Sequence, residues 1–364
     1  MTINSMIYVN GRFLLQNLTG VNRFAYEICK AWVDLGIDFK ICCPPGKIKD
    51  CYDVSAFTII VCGCGKSHIW EQFSLPICFV RIKGEKILVN LTSLGPLFVW
   101  RKVMTIHDLA FMVNPKWYSR SYLLLYKFMT PLCAKTSLHI ITVSNFSKNE
   151  IINRLFINRK KISVIYNAVS NFFLDNSTDT HGLIEEKYIL AVSSIDPRKN
   201  FSILLKAFDR IKDANVKLYI IGGQNSIYST TIAELSRVCV SERIKWLGRV
   251  SDTELKIFYS NALCFVYPSL YEGFGIPPLE AMASGTPTIV SNIPPLKEVC
   301  ADASLYVNPK DEFDIADKIN LLVSNPTLRR HLIMKGFERC QYFNWHRSAE
   351  SLFHKIDRLL RENM

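Results

Sequence analysis

Nowhere in the 364 residues is there an uninterrupted apolar run of 18 or more, the length that a membrane-crossing helix needs. The opening "MTINSMIYVNGRF" lacks a charged start, an apolar run and a small-residue cleavage site, so no signal peptide is expected and the chain reads as cytosolic. Carboxylate pairs of the form D-x-D are missing, which argues against a metal ion clamping a diphosphate. No G-x-G-x-x-G follows the first strand-like run, so a nicotinamide enzyme is poorly supported, although Tyr26 and Lys30 have a reductase-like spacing. "VCGCGKS" ends like a phosphate-binding P-loop, but the glycine required five residues before Gly65 is Ile60. Cys62 and Cys64 lie near His68, yet no second pair with zinc-site spacing exists. Most of the twelve cysteines sit in apolar runs such as "DFKICC" and "LCFVYP", where a reduced thiol behaves as a small hydrophobe. No internal repeat, low-complexity tract or recognised nucleic-acid module is visible.

What the chain does have is a large apolar content, 49%, enough to bury two cores. Its net charge of +12 is uneven. Residues 1–180 hold 21 basic and 11 acidic side chains, whereas residues 181–364 hold 23 and 21. The basic front half implies an anionic partner, which is a phosphorylated substrate, an anionic membrane surface or nucleic acid; the alternative is that the charge serves solubility with no specific partner.

Short β-branched runs alternate with helical patterns throughout. Seven strand candidates precede residue 170 ("SMIYVN", "DFKICC", "FTIIVC", "KILVNL", "KVMTIH", "LHIITVS", "KISVIYN"). Five follow it ("YILAVSS", "VKLYIIGG", "LCFVYPS", "TPTIVS", "SLYVNP"). Continuous apolar strands joined by helices imply parallel sheets covered on both faces. The polar stretch from Ser170 to Lys187 reads as a linker. We therefore expect an α/β protein of two Rossmann-like domains, residues 1–172 and 188–345, facing a cleft, with a linker at 173–187. An amphipathic C-terminal helix at 346–364 packs back on the first domain. In such sheets ligands bind outside the carboxyl ends of the strands.

One loop after a strand is informative, "SLYEGFGIPPLEAMASGTP" from Ser269 to Pro287. Pro277 and Pro278 mark a helix start, Leu279, Met282 and Ala283 share an apolar face, and Gly285 marks the stop. Gly273 and Gly275 allow the backbone to approach a ligand, and the helix N-terminus favours an anion such as phosphate. Glu280 is expected in the first helical turn and Glu272 at the head of the loop. Carboxylates only accept hydrogen bonds, which suits sugar hydroxyls, so the stretch fits a nucleotide sugar. The alternative is that Glu280 merely complements the helix dipole while Glu272 is solvated.

The segment is similar to the E-x7-E region of retaining glycosyltransferases, most closely glycosyltransferase family 4 with its GT-B fold. The likeness continues in "LTGVNRFAYEI", "TIHDLAF", "ITVSNFSKNEI", "VIYNAVS", "SSIDPRKN" and "LGRVSDTEL". It implies that the C-terminal domain binds the nucleotide sugar and the N-terminal domain the acceptor. By the same resemblance Glu280 holds the donor's ribose and Glu272 its sugar, with backbone contacts from Gly273, Phe274 and Gly275. Arg198 and Lys199 match the basic pair at the diphosphate, where negative charge develops as the glycosidic bond breaks; the alternative for this segment is a solvated loop. A further family arginine is replaced here by Ser194, leaving Arg249 as a weaker candidate. His107 matches a family histidine near the reacting sugar, in a positioning or electrostatic role, and Asp108 orients it or its loop. Gly20 matches the front-domain glycine loop, and Arg23 nearby reads as a surface charge. Members resembling this chain lean towards mannosyl transfer from GDP-mannose, onto a polyprenyl-diphosphate-linked or oligosaccharide acceptor in O-antigen or capsule assembly. Alternatives are a UDP-sugar transferase with a soluble acceptor and a sugar-nucleotide epimerase. No cofactor, metal or nucleic acid is expected. The basic, aromatic segment Asn114 to Lys135 is expected to dock on the anionic inner face of the plasma membrane; the alternative is an ordinary core-packing helix with a solvated face.

Overall fold

The computed structural model describes residues 6–175, 182–223, 233, 235, 237 and 241–362. The chain divides into two compact units, one of residues 1–109, 124–167 and 344–364, the other of residues 110–123 and 168–343. The expected division differs in that residues 110–123 and 168–172 group with the second unit and residues 344–345 with the first.

The first unit is a seven-stranded, wholly parallel sheet: β1 (Met6–Asn10), β2 (Phe39–Cys43), β3 (Ile59–Val61), β4 (Lys86–Asn90), β5 (Lys102–Thr105), β6 (His139–Thr142) and β7 (Ile162–Val164). They lie in the order β3-β2-β1-β4-β5-β6-β7. Each falls inside one of the seven apolar runs, and the inner strands β1, β2, β4, β5 and β6, buried along nearly their whole length, carry no polar alternation. The helix Gly20–Asp34 packs on Trp345–Glu362, whose Trp345, Ala349, Leu352, Ile356 and Leu359 repeat at helical spacing and are buried. The Trp32 indole N–H donates to the Ala349 carbonyl (2.9 Å), and Trp345 lies edge-on to Phe24 at 5.9 Å.

Among its described residues the second unit holds six parallel strands, β8 (Tyr188–Val192), β9 (Lys217–Ile221), β10 (Ile244–Gly248), β11 (Cys264–Tyr267), β12 (Thr288–Ser291) and β13 (Ser304–Val307). Their order is β10-β9-β8-β11-β12-β13. The sequence reading missed β10. It is an edge strand, none of its residues is fully buried, and Lys245 interrupts its apolar run. At the carboxyl edge β8 and β9 close up: a Cβ on Gly222 would lie 1.7 Å from the Ser193 carbonyl oxygen, so only glycine fits there. Of the expected linker, Asn171–Leu174 is a helical turn whose Phe173 is buried beside Tyr259, and residues 176–181 lie outside the described residues.

Among the described residues no helix is long and apolar enough to cross a membrane. Cys29, Cys42, Cys43, Cys133, Cys264, Cys300 and Cys340 are buried thiols, while Cys51 and Cys64 are exposed. His68 pairs with Glu71 (3.0 Å).

Candidate active site

The order of the second sheet reverses between β8 and β11, and the loops that follow these two strands carry most of the expected site. This reversal is where an open parallel sheet leaves a crevice at its carboxyl edge. After β8, Asp196 caps the short turn Pro197–Lys199: its carboxylate accepts from the Arg198 backbone N–H (3.0 Å) and from Arg198 Nε (2.6 Å). Asn200 then takes a left-handed conformation (φ 62°), which stops the turn and starts the helix Phe201–Phe208. Its side-chain amide reaches the carbonyls of Pro268 (3.0 Å) and Pro309 (2.6 Å), and the Arg198 carbonyl accepts from the Leu270 N–H (2.7 Å). The loop after β8 is thereby stapled to the loop after β11.

The staple brings three of the expected residues together. Lys199 Nζ donates to Glu272 Oε1 (2.6 Å) and to the Tyr267 hydroxyl (2.6 Å), and Arg198 stands 3.7 Å from Glu272 Oε2. Lys199 and Glu272 are buried, and the Arg198 side chain is 13% exposed, so the basic pair is no solvated loop. Burial pulls the Lys199 ammonium below the usual lysine range, opposed by Glu272. Burial alone would push Glu272 up, but Lys199 and Arg198 hold it below the usual carboxylate range. Burial, with Glu272 beside it, raises the Tyr267 phenol well above its ordinary value. The result is a desolvated, ionised pair with a second cation at its rim. Cations fixed in a low-dielectric site stabilise charge that develops on a leaving group without having to reorganise.

The helix fed by the glycine loop begins earlier than expected. It runs Ile276–Ala283, so Glu280 is its fifth residue and lies in the second turn, not the first. The cause is Gly275, which takes φ +114° as the N-cap and so lets Ile276 and both prolines enter the helix. A Cβ there would meet Leu296 Cδ2 at 2.6 Å, so Gly275 has a reason internal to the fold. Dipole stabilisation fades within the first turn, which leaves it a poor account of Glu280. Glu280 is buried and accepts from the Tyr259 hydroxyl (3.3 Å). Phe274 is buried edge-on to Phe343 at 5.4 Å and anchors the loop while Gly273 precedes it. Arg249 is exposed at the end of β10, two strands from β8, where its side chain crosses the Cα of Gly223.

His107 and Gly20 belong to the first unit. His107 follows β5, is buried, and its Nε2 lies 3.0 Å from the Leu91 carbonyl. A carbonyl only accepts, so Nε2 carries the hydrogen and Nδ1 of the neutral ring is left as an acceptor. Burial lowers its pKa, and the Phe24 ring stands edge-on at 5.1 Å. The Ser147 hydroxyl donates to the His107 carbonyl (3.1 Å) and fixes the loop. Gly20 heads the helix Gly20–Asp34 behind the Thr19 cap, whose hydroxyl accepts from Asn22 N (3.4 Å).

The sequence reading missed Tyr267, Asp196 and Tyr259, which hold Lys199, Arg198 and Glu280. A signal existed for two of them: Tyr267 is a polar group closing an apolar strand, and Asp196 precedes a proline turn in N-cap position. Tyr259 sits on the helix Asp252–Asn261 and is brought in by folding alone.

Two wholly parallel α/β units of this kind define the GT-B class. The fold is shared by HepE of Anabaena, solved with UDP and glucose (TM-score 0.75, 15% identity, 97% of this chain and 99% of that one). Residues 18–171 match Glycosyltransferase Family 4 and residues 177–339 match Glycosyl transferases group 1. The O-antigen chain mannosyltransferase RfbU of Salmonella typhimurium is 35% identical over 248 residues, 67% of each chain. The O-antigen chain mannosyltransferase B of Escherichia coli is 29% identical over 255 residues, again 67% of each. The chain belongs to glycosyltransferase family 4.

Proposed function

We propose that the protein is a retaining, metal-independent hexosyltransferase that moves mannose from GDP-mannose to a polyprenyl-diphosphate-linked or oligosaccharide acceptor in bacterial surface-polysaccharide assembly. Mannose and the O-antigen context rest on the names of the two relatives. The observation that carries the donor assignment is the buried Lys199, held between Tyr267 and Glu272 with Arg198 beside it at the strand-order reversal.

In this reading the donor diphosphate lies over Arg198 and Lys199, Glu272 and the Gly273–Phe274–Gly275 backbone meet sugar and phosphate, and Glu280 holds the ribose. Arg249 and Gly20 are outer donor contacts. The bond between the anomeric carbon and the phosphate oxygen breaks as the acceptor oxygen attacks the same face. The leaving phosphate takes the acceptor's proton, so no protein nucleophile is needed. Lys199 and Arg198 stabilise the growing phosphate charge. His107, neutral and bonded through Nε2, positions the sugar rather than serving as a general base. The protein works at the cytoplasmic face of the membrane, peripherally attached, with residues 1–172 taking the acceptor and residues 188–345 the donor.

A panel of GDP-, UDP- and dTDP-sugars, scored for binding and then for the anomeric configuration of the product by NMR, tests this. GDP-mannose with an α-linked product is expected. A β-linked product, or epimerised donor released without acceptor, overturns it.

A further inference from the structure

The first unit displays a set of large apolar side chains that its own core does not use. Ser67–Ile69, Trp70–Ser74 and Leu75–Arg81 run on as one helical stretch. Its inner face, Trp70, Leu75 and Phe79, packs with Tyr8, Leu88 and Val99. Its outer face carries Ile69, Phe73, Ile77 and Val80, spaced by four, four and three, all exposed. Two neighbouring segments extend this face. Gln72 donates to the Gly95 carbonyl (3.0 Å) and accepts from the Leu97 N–H (2.9 Å), which fixes a loop that turns Val99 inward and Phe98 and Trp100 outward. Cys133 on the helix Arg120–Thr136 donates to that same Gly95 carbonyl (3.1 Å), and His68 meets Tyr126 of the helix edge-on at 5.9 Å. That helix presents Leu124 and Phe128 to solvent. Exposure across the set runs from 54% at Ile77 to 78% at Leu124. Isolated exposed apolar residues are ordinary, but a set drawn from three segments tied together marks an interaction site.

The charges nearby are of one sign. Lys66, Arg81, Lys83, Lys127 and Lys135 are exposed, whereas Glu71 is buried between Arg12 and His68, and Glu85 is engaged by Arg101. Across residues 66–101 and 124–135 these two are the only acids. We infer that this face, residues 66–83, Phe98, Trp100 and residues 124–135, is the surface by which the protein lies on an anionic bilayer, with the ridge Ile69–Phe73–Ile77–Val80 inserted at the headgroup boundary. A bilayer fits better than a protein groove, because the apolar side chains are ringed by uncompensated lysines and arginines that meet lipid phosphates. The inference rests on the membrane-attached reading of the function and extends the docking segment expected from the sequence, whose helix Arg120–Thr136 carries Leu124 and Phe128, to residues 66–83, Phe98 and Trp100.

The test is sedimentation of the full chain with vesicles of phosphatidylglycerol and phosphatidylcholine, or of phosphatidylcholine alone, without donor or acceptor. Binding to the anionic vesicles, lost by the triple variant Ile69→Asp, Phe73→Asp, Ile77→Asp by about 100-fold or more, is expected. Lys66→Ala with Lys83→Ala should cost about 5-fold per site at low salt. Unchanged GDP binding shows that each variant is folded. Vesicle binding that survives the triple variant overturns the inference, as does salt-insensitive binding to phosphatidylcholine alone. So does a dimer in lipid-free chromatography that the triple variant dissolves, since the face then joins two copies. Because no sugar is transferred in this assay, a wrong donor or acceptor leaves its outcome untouched.

Discussion

Replacing Lys199 by alanine separates catalysis from structure at the proposed donor site. The substitution removes both 2.6 Å contacts, to Glu272 and to Tyr267, and leaves Glu272 buried with Arg198 at 3.7 Å as its nearest cation among the contacts described. Breaking a buried pair from one side costs about 3–5 kcal/mol, and the remaining arginine puts the expected stability loss at the low end, about 3 kcal/mol at neutral pH. The pH dependence has a definite sign. In the wild type the depressed pKa of Glu272 adds stability that is complete above the unfolded carboxylate value and is lost as pH falls through the lower folded value. In the variant burial acts on Glu272 with its nearest cation gone, so the carboxyl protonates more easily. The gap between variant and wild type therefore narrows on acidification. For catalysis, loss of one preorganised charge-stabilising group lowers kcat by about 100- to 1000-fold. KM for the donor should change by less than about 10-fold, since the interaction grows in the transition state. Steady-state kinetics on protein shown folded by thermal melts reads both numbers. A variant with near-wild-type kcat, or one whose whole defect lies in KM, refutes the role given to Lys199.

Glu280→Ala should weaken donor binding by about 10-fold or more, read by titration calorimetry with the donor, and lower stability by about 1–3 kcal/mol, because the buried Tyr259 hydroxyl loses the Glu280 acceptor; unchanged affinity removes the ribose assignment. Tyr267→Phe should lower kcat about 10-fold and stability by about 1 kcal/mol, because Lys199 loses one of its two acceptors. Gly275→Ala should destabilise by about 2–4 kcal/mol in a denaturant melt, from the left-handed backbone and the Leu296 overlap. His139 is buried, and burial with nearby lysines holds its pKa at about 3. Its neutral form contributes stability that is full above the unfolded value of 6.5 and is lost as pH falls towards 3, and His139→Gln should flatten that part of a stability–pH curve.

The sheets were legible because their inner strands are continuous apolar words, and twelve of the thirteen strands among the described residues fall in runs readable from the sequence. β10 escaped because an edge strand need not be apolar throughout, and "IKWLG" carries a lysine at its second position. Glu272 and Lys199 were legible one at a time, from a loop motif and from a basic pair. Their contact was not, since 73 residues separate them and they meet through the pairing of β8 with β11 and the bonds of Asn200 and Leu270 between the two loops. The helix start at Ile276 was hidden by the prolines: their fixed φ marks a first turn, but the left-handed Gly275 sets where that turn begins. The exposed ridge was also invisible, because Ile69, Phe73, Ile77 and Val80 look like any core-facing helix until Trp70 and Phe79 are seen to occupy the core.

The central claim is that the donor's diphosphate lies over Lys199 and Arg198. It is tested most directly by measuring the affinities of GDP and GMP for the wild type and for Lys199→Ala in one thermodynamic cycle. The account predicts that GDP binds the wild type more tightly than GMP, and that the variant loses most of this difference, with a coupling of about 1–3 kcal/mol. A GDP-to-GMP difference that is the same in both proteins would contradict it.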